Sequence, residues 1–158
     1  MKKRCFSFLS CICVVVLSGC SKGPSDTAES FFAAIEKKDY EKACSYVSED
    51  DLKKSQSQVK VSLVKVKSII SMMPAEAVEK IIIVEDLANR SAEDFFVGMM
   101  KMAAEEGEEL FICPEILKEK VDGDKATVWC KDAEGKEDQM ELVKENGRWV
   151  MLFSPPQE

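Results

Sequence analysis

The chain has 158 residues, enough for one domain with a packed core and short of two. Hydrophobic residues at 46% and charged residues at 32% exclude a disordered chain and a multi-span membrane protein. The 22 Lys+Arg against 29 Asp+Glu give a net charge of −7, which argues against nucleic acid or a bare anionic lipid surface as partner, and the absence of histidine removes the commonest general base, nucleophile activator and zinc ligand.

The N-terminus reads as an export signal. Met1 to Arg4 is basic, and Phe6 to Leu17 is an apolar run of about twelve residues, the length of a secretory h-region. As a helix it would reach only ~18 Å, against a hydrocarbon core of ~30 Å. The four residues that follow, Leu17-Ser18-Gly19-Cys20, resemble the bacterial lipobox. That resemblance implies cleavage before Cys20, acylation of its thiol by a diacylglyceryl group and attachment to a membrane outside the cytoplasm. Two or three acyl chains make such an anchor stable, where one binds only marginally. Ser21 is not the Asp that retains lipoproteins at an inner membrane, so the same resemblance implies the outer membrane in an organism that has one. Loss of Lys2, Lys3 and Arg4 leaves 19 bases against 29 acids, a net charge of −10. The expected organisation is a cleaved signal over 1–19, a lipidated tether over 20–25 and a single domain over 26–158.

Within the domain, Asp26 followed by Glu29 predicts a capping box, and Ala28, Phe31, Phe32 and Ile35 recur at helical spacing, giving a helix over about 27–37. Asp39 caps a second, short helix with Tyr40, Ala43, Cys44 and Val47 on one face. Ser48 to Ser57 is polar and closes this unit. Val59, Leu63, Val66 and Ile70 fit one helical face, while Val59, Val61 and Leu63 also alternate like a strand. Pro74 opens a helix over 75–88, within which Ile81 to Val84 is a β-branched run that also suits a strand. Ser91 with Asp94 caps a further helix carrying Phe95, Phe96, Met99, Met102 and Ala103 and ending near Gly107.

From Leu110 the pattern changes to strands and turns. Leu110 to Val121, Ala126 to Lys131, Asp138 to Glu145 and Trp149 to Phe153 form an antiparallel meander, joined at Asp122-Gly123, Glu134-Gly135 and Asn146-Gly147. Two-residue turns at the last two sites set Leu142 opposite Met151, Met140 opposite Phe153 and Trp129 opposite Met140. One face then collects Thr127, Trp129, Met140, Leu142, Trp149, Met151 and Phe153, and the helices must cover it, which defines an α+β domain.

The start, from Thr27-Ala28-Glu29-Ser30-Phe31-Phe32 through Ala43, resembles the opening of nuclear transport factor 2-like domains. The ending, Val121 to Val128 followed by Glu141 to Trp149, is similar to the last strands of that fold. The branch it resembles is that of small lipid-anchored bacterial proteins. The resemblance implies a curved sheet wrapped over a long helix with a cavity between them, and residues 55–109 form a longer and more helical middle than that branch carries. It does not imply one function, since the fold hosts enzymes, adaptors and structural partners.

Phe95, Met99, Trp129, Met140, Trp149 and Met151 are the candidate pocket, suited to an apolar ligand or a protein partner because methionines adapt to irregular shapes; filling of the core is the plainer account of most of them. An isomerase or dehydratase of the same fold would need a carboxylate base facing a buried Tyr, and only Tyr40 and Tyr46 exist. A third reading is an acidic inhibitor or assembly subunit that blocks a basic partner. Of the cysteines left after cleavage, Cys113 and Cys130 lie on neighbouring predicted strands and are the candidate disulfide, with Cys113–Cys44 or three buried thiols as the alternatives. No CxxC pair is present, and no cofactor or metal is expected.

Overall fold

The computed structural model describes residues 22–107, 115–132 and 135–153. Among these residues five α-helices precede a four-stranded antiparallel sheet, an α+β arrangement with the helical part first. The predicted signal, Cys20, Cys113 and the predicted strand residues 110–114 lie outside the described residues.

Helix α1, Pro24–Glu36, starts earlier than its sequence pattern suggests. Asp26 is not its cap: it sits one turn inside, and its carboxylate accepts from the Gly23 N–H at 3.0 Å. Pro24 opens the helix because it has no N–H to leave unpaired. Pro24 and Ser25, expected in the tether, are helical here, and the Ser25 N–H donates to the Glu119 carboxylate. The chain turns out of α1 through Lys38 at φ 57°, and Asp39 caps α2, Tyr40–Cys44, by accepting from the Lys42 N–H.

Ser48 caps α3, Glu49–Lys67. The polar stretch expected to close the N-terminal unit is thus the first half of a long helix. Leu52, Gln56 and Leu63 form its buried stripe with Val59 and Val66 half-buried, and a glutamine in that stripe interrupts the apolar period that the sequence reading relied on. A 3-10 turn, Ile70–Met72, leads to α4, Ala75–Ala88, and the β-branched run at Ile81 to Val84 is helical. Helix α5, Ala92–Glu105, is capped by the Ser91 hydroxyl, which accepts from the Asp94 N–H at 3.0 Å.

The strands are β1, Glu115–Asp122; β2, Lys125–Lys131; β3, Glu137–Glu145; and β4, Arg148–Leu152. Asn146 (φ 50°) and Gly147 (φ 80°) make the expected tight turn, and Leu142 faces Met151 as predicted. The β2–β3 register differs by one residue: Val128, not Trp129, lies opposite Met140. The cause is a five-residue connection over 132–136 in place of a two-residue turn. Asp132 organises it, its carboxylate accepting from Lys136 N at 2.7 Å and its carbonyl from Gly135 N at 3.1 Å. Because side chains alternate along a strand, this slip moves Thr127 and Trp129 to the outer face, where Thr127 donates to Glu141, and puts Ala126, Val128 and Cys130 on the inner one. The first turn is Gly123-Asp124 rather than Asp122-Gly123.

Helix α1 crosses the inner face, and Phe31, Ala28 and Ala43 meet Val128, Leu142 and Met151 in a core where Phe31, Val128 and Leu142 are fully buried. Residues 46–48 run beside β4, with Met151 N donating to Tyr46 O and Ser48 N to Met151 O. A second cluster, Leu63, Leu87, Ala88 and Phe95, joins α3, α4 and α5 into a helical limb.

Candidate binding cleft

The six predicted pocket residues do not converge. Phe95 and Met99 pack in the helical limb. Met140, Trp149 and Met151 line the inner sheet face against α1, with Met151 buried and the other two half-buried. Trp129 is on the outer face, with the Lys118 ammonium 4.8 Å from its ring centroid. Tyr40 is likewise core, packed with Phe31 and Ala43.

Cys44 and Cys130 are buried free thiols, and Cys130 Sγ donates to the Asp138 carbonyl at 3.6 Å. Burial pushes both thiols up, Cys44 to about 11 with a further contribution from Glu93, Asp94 and Glu41. Both remain protonated at neutral pH and are poor nucleophiles. The pairing of Cys113 with Cys130 falls on a residue outside the described set.

A cleft of about 340 Å³ opens elsewhere, between the first turns of α2, α3 and α5 and the β3–β4 hairpin. Its floor is apolar: Cys44, Val47, Leu52, Val97 and Val150. Its rim carries five carboxylates, Glu41, Glu49, Glu93, Asp94 and Glu145, against one guanidinium, Arg148. Four of the five sit in the first turn of a helix, where the macrodipole and the unpaired N–H groups favour negative charge. Three capped helix starts therefore gather acid at one place. Glu145 is held by the buried Ser48, whose hydroxyl donates to it at 2.6 Å while accepting from the Asp51 N–H. Asp51, also buried, accepts from the Phe153 N–H and ties the start of α3 to the end of β4.

Two rim acids are paired, Glu41 with Lys101 at 2.9 Å and Glu49 with Lys53 at 2.6 Å. Each lysine holds its partner's carboxyl below the usual range, mainly through the hydrogen bond it donates. The lowering at Glu41 and Glu49 opposes proton donation, which needs a raised carboxyl pKa, and a rim so rich in carboxylates suits electrostatic recognition of a cation. Among the described residues no group of three or more acids and thiols has metal-binding geometry, and no helix is long and apolar enough to cross a membrane.

Asp39 and Ser91, with the acids behind them, are visible in the sequence as helix starts, whereas Ser48, Glu49 and Asp51 lie in the polar stretch read as closing the N-terminal unit. Their convergence is tertiary and has no local signal. No family model, curated protein or solved structure matches the chain.

Proposed function

We propose that this chain is a bacterial lipoprotein, acylated on Cys20 and held in the cell envelope (at the outer membrane where there is one), whose domain is a non-catalytic module that binds a basic segment of a protein partner. The observation that carries the binding reading is the cleft, with four first-turn carboxylates and Glu145 around a floor of Val47, Leu52, Val97 and Val150. A lysine or arginine side chain fits both parts, its aliphatic stem resting on the floor and its charge meeting the rim. A nuclear transport factor 2-like cone is the proposed fold family, supported by a meander of four strands packed over α1. The apolar-ligand reading is weaker, since its six residues are divided between the limb and the two sheet faces. The enzyme reading has Tyr40 committed to the core and the shifted cleft carboxyls moved down rather than up.

Two measurements test this. Intact-mass analysis of protein from the native host should find a chain starting at acylated Cys20; an unmodified amino terminus refutes the anchor. Titration of the protein with a lysine-rich peptide should move the NMR signals of Val47, Leu52 and Val97, with an affinity that falls as salt rises. The Glu93→Gln/Asp94→Asn variant should weaken binding roughly tenfold. Equal binding of an acidic peptide, or no response at these residues, overturns the cleft reading.

A further inference from the structure

Charge is segregated along this chain. From Leu52 to Ala75 there are five lysines, Lys53, Lys54, Lys60, Lys65 and Lys67, and no acid, which leaves −15 on the rest of the chain beyond residue 19. At 3.6 residues per turn these lysines occupy one arc of roughly 160° on α3, opposite the buried Leu52 and Leu63. Every residue of that arc is exposed, and within it Val61 and Val64 are 59% and 72% accessible. The apolar surface continues past the helix end into Ile69 and Met72, the latter 86% accessible. Lys53 is paired with Glu49 and Lys67 with Glu85, whereas Lys54, Lys60 and Lys65 make no ion pair among the described residues. Isolated apolar side chains at a surface are ordinary, but valines interleaved with unpaired lysines along a whole helix face are the pattern of a helix lying on an anionic interface.

Helix α3 also starts where the tether enters the domain. The Lys22 ammonium lies 5.5 Å from the Tyr46 ring centroid, and Tyr46 is two residues before the cap Ser48. Lys22 follows Cys20 by two positions, a reach of at most ~7 Å. Of the acids in the first turn of α3, Asp51 is turned into the protein and Glu49 is paired, so Asp50 alone opposes an anionic surface there.

We infer that the lysine and valine face of α3, with Ile69 and Met72, is a second membrane contact that lays the helix along an anionic lipid surface. This rests on the Cys20 anchor for the position of α3, and it gives the net-acidic domain a fixed orientation. With α3 against the lipid, about 28 Å of helix touches the surface while the anchor holds one end. Net charge alone predicts repulsion from such a surface; the segregated lysines reverse that locally, because screening confines each charge to about 10 Å of its surroundings.

The test uses the mature lipidated protein in vesicles of phosphatidylcholine and in vesicles with one third phosphatidylglycerol. Acetylation of lysines is read by mass spectrometry. Lys54, Lys60 and Lys65 should be protected about tenfold on the anionic vesicles relative to the neutral ones, with Lys125 and Lys136 at the hairpin ends unchanged. High salt should abolish the protection, and the Lys60→Glu/Lys65→Glu variant should abolish it at Lys54, while the lipid keeps that variant on both vesicle types. Replacement of the apolar members by Val61→Ser/Val64→Ser should reduce the protection severalfold. Equal acetylation of the α3 lysines on both vesicle types overturns the inference, as does protection that requires an added acidic envelope protein. Flotation with anionic but not neutral vesicles would refute the anchor and uphold the contact.

Discussion

The sheet-side core and the helical limb are built from similar amounts of apolar sequence and differ in how much of it they bury. Around α1, α2 and the inner sheet face, sixteen of the described residues are buried in one cluster, which Leu52 of α3 and Ala92 and Met100 of α5 join, with Phe31, Ala28, Ala43, Val128 and Leu142 at zero exposure. The limb of α3, α4 and α5 is closed by four, Leu63, Leu87, Ala88 and Phe95, while Ile82 and Ile83 on α4 stay 59% and 45% accessible. A sheet covered on one face by α1 shields the middle of that face from water, with Val128 and Leu142 fully buried and Met140 and Trp149 half-buried. Three helices meeting along narrow stripes leave half of each surface free. With fewer buried apolar residues the limb is expected to open before the sheet-side core, and its open surfaces leave room for partners.

The largest way to challenge this contrast is Phe31→Ala, which removes the ring at the centre of the larger cluster along with its edge contacts to Phe32 and Phe153. A loss of about 3–5 kcal/mol is expected in urea unfolding, with both regions melting together. Gln56→Ala should cost less, about 1–3 kcal/mol, because it strands the carbonyls of Ala88 and Arg90 that Gln56 Nε2 now reaches at 3.0 and 2.9 Å. Hydrogen exchange should then rise at the end of α4 and in α3 while the β2 and β3 amides keep their protection; loss across the sheet would mean that limb and sheet open as one unit. Gly98→Ala is smaller again. A Cβ at Gly98 would overlap Leu87 Cδ2 and lie 2.9 Å from Cδ1, so the leucine must shift within a thin core. Strain of about 1–3 kcal/mol is partly offset by a gain of ~1 kcal/mol in helix propensity, leaving a net loss near 1 kcal/mol, again confined to exchange in the limb.

The same contrast governs what could be read from residues alone. Capped helices with clean apolar periods, α2 after Asp39 and α5 after Ser91, announce themselves, and so does the β3–β4 hairpin, because Asn146-Gly147 is a local signal for a local turn. The limb was harder because Gln56 breaks its stripe and Ile81 to Val84 suits two conformations. The β2–β3 register depended on how Asp132 folds its own loop, and a slip of one residue was enough to move Trp129 from a proposed pocket to the outer face. The cleft was out of reach for a different reason: Glu41, Glu49, Glu93 and Glu145 are far apart in the chain and ordinary at each place. Net charge concealed the α3 lysines in the same way, by averaging them with acids on other elements.

Cys44 offers the finest probe of the boundary between the two regions, through a titration that acts only well above neutral pH. It belongs to the sheet-side cluster, yet Glu93 and Asp94 of α5 raise its pKa after burial itself, so its thiol reports on how closely the limb is docked. The folded value of about 11 against an ordinary 9.0 means that the folded state keeps its proton while the unfolded thiol ionises. Stability from this group is therefore complete below pH 9 and is lost as pH rises from about 9 to about 11; Cys44→Ala should flatten that part of the urea midpoint's pH profile relative to the parent. Alkylation sharpens the same point. If α5 lifts with the limb, iodoacetamide should label Cys44 faster in Gly98→Ala than in the parent, whereas Cys130, held in β2 by its bond to the Asp138 carbonyl, should be labelled at an unchanged rate. Equal acceleration of the two thiols would instead mean that the sheet-side core opens with the limb, and the division between them would fall.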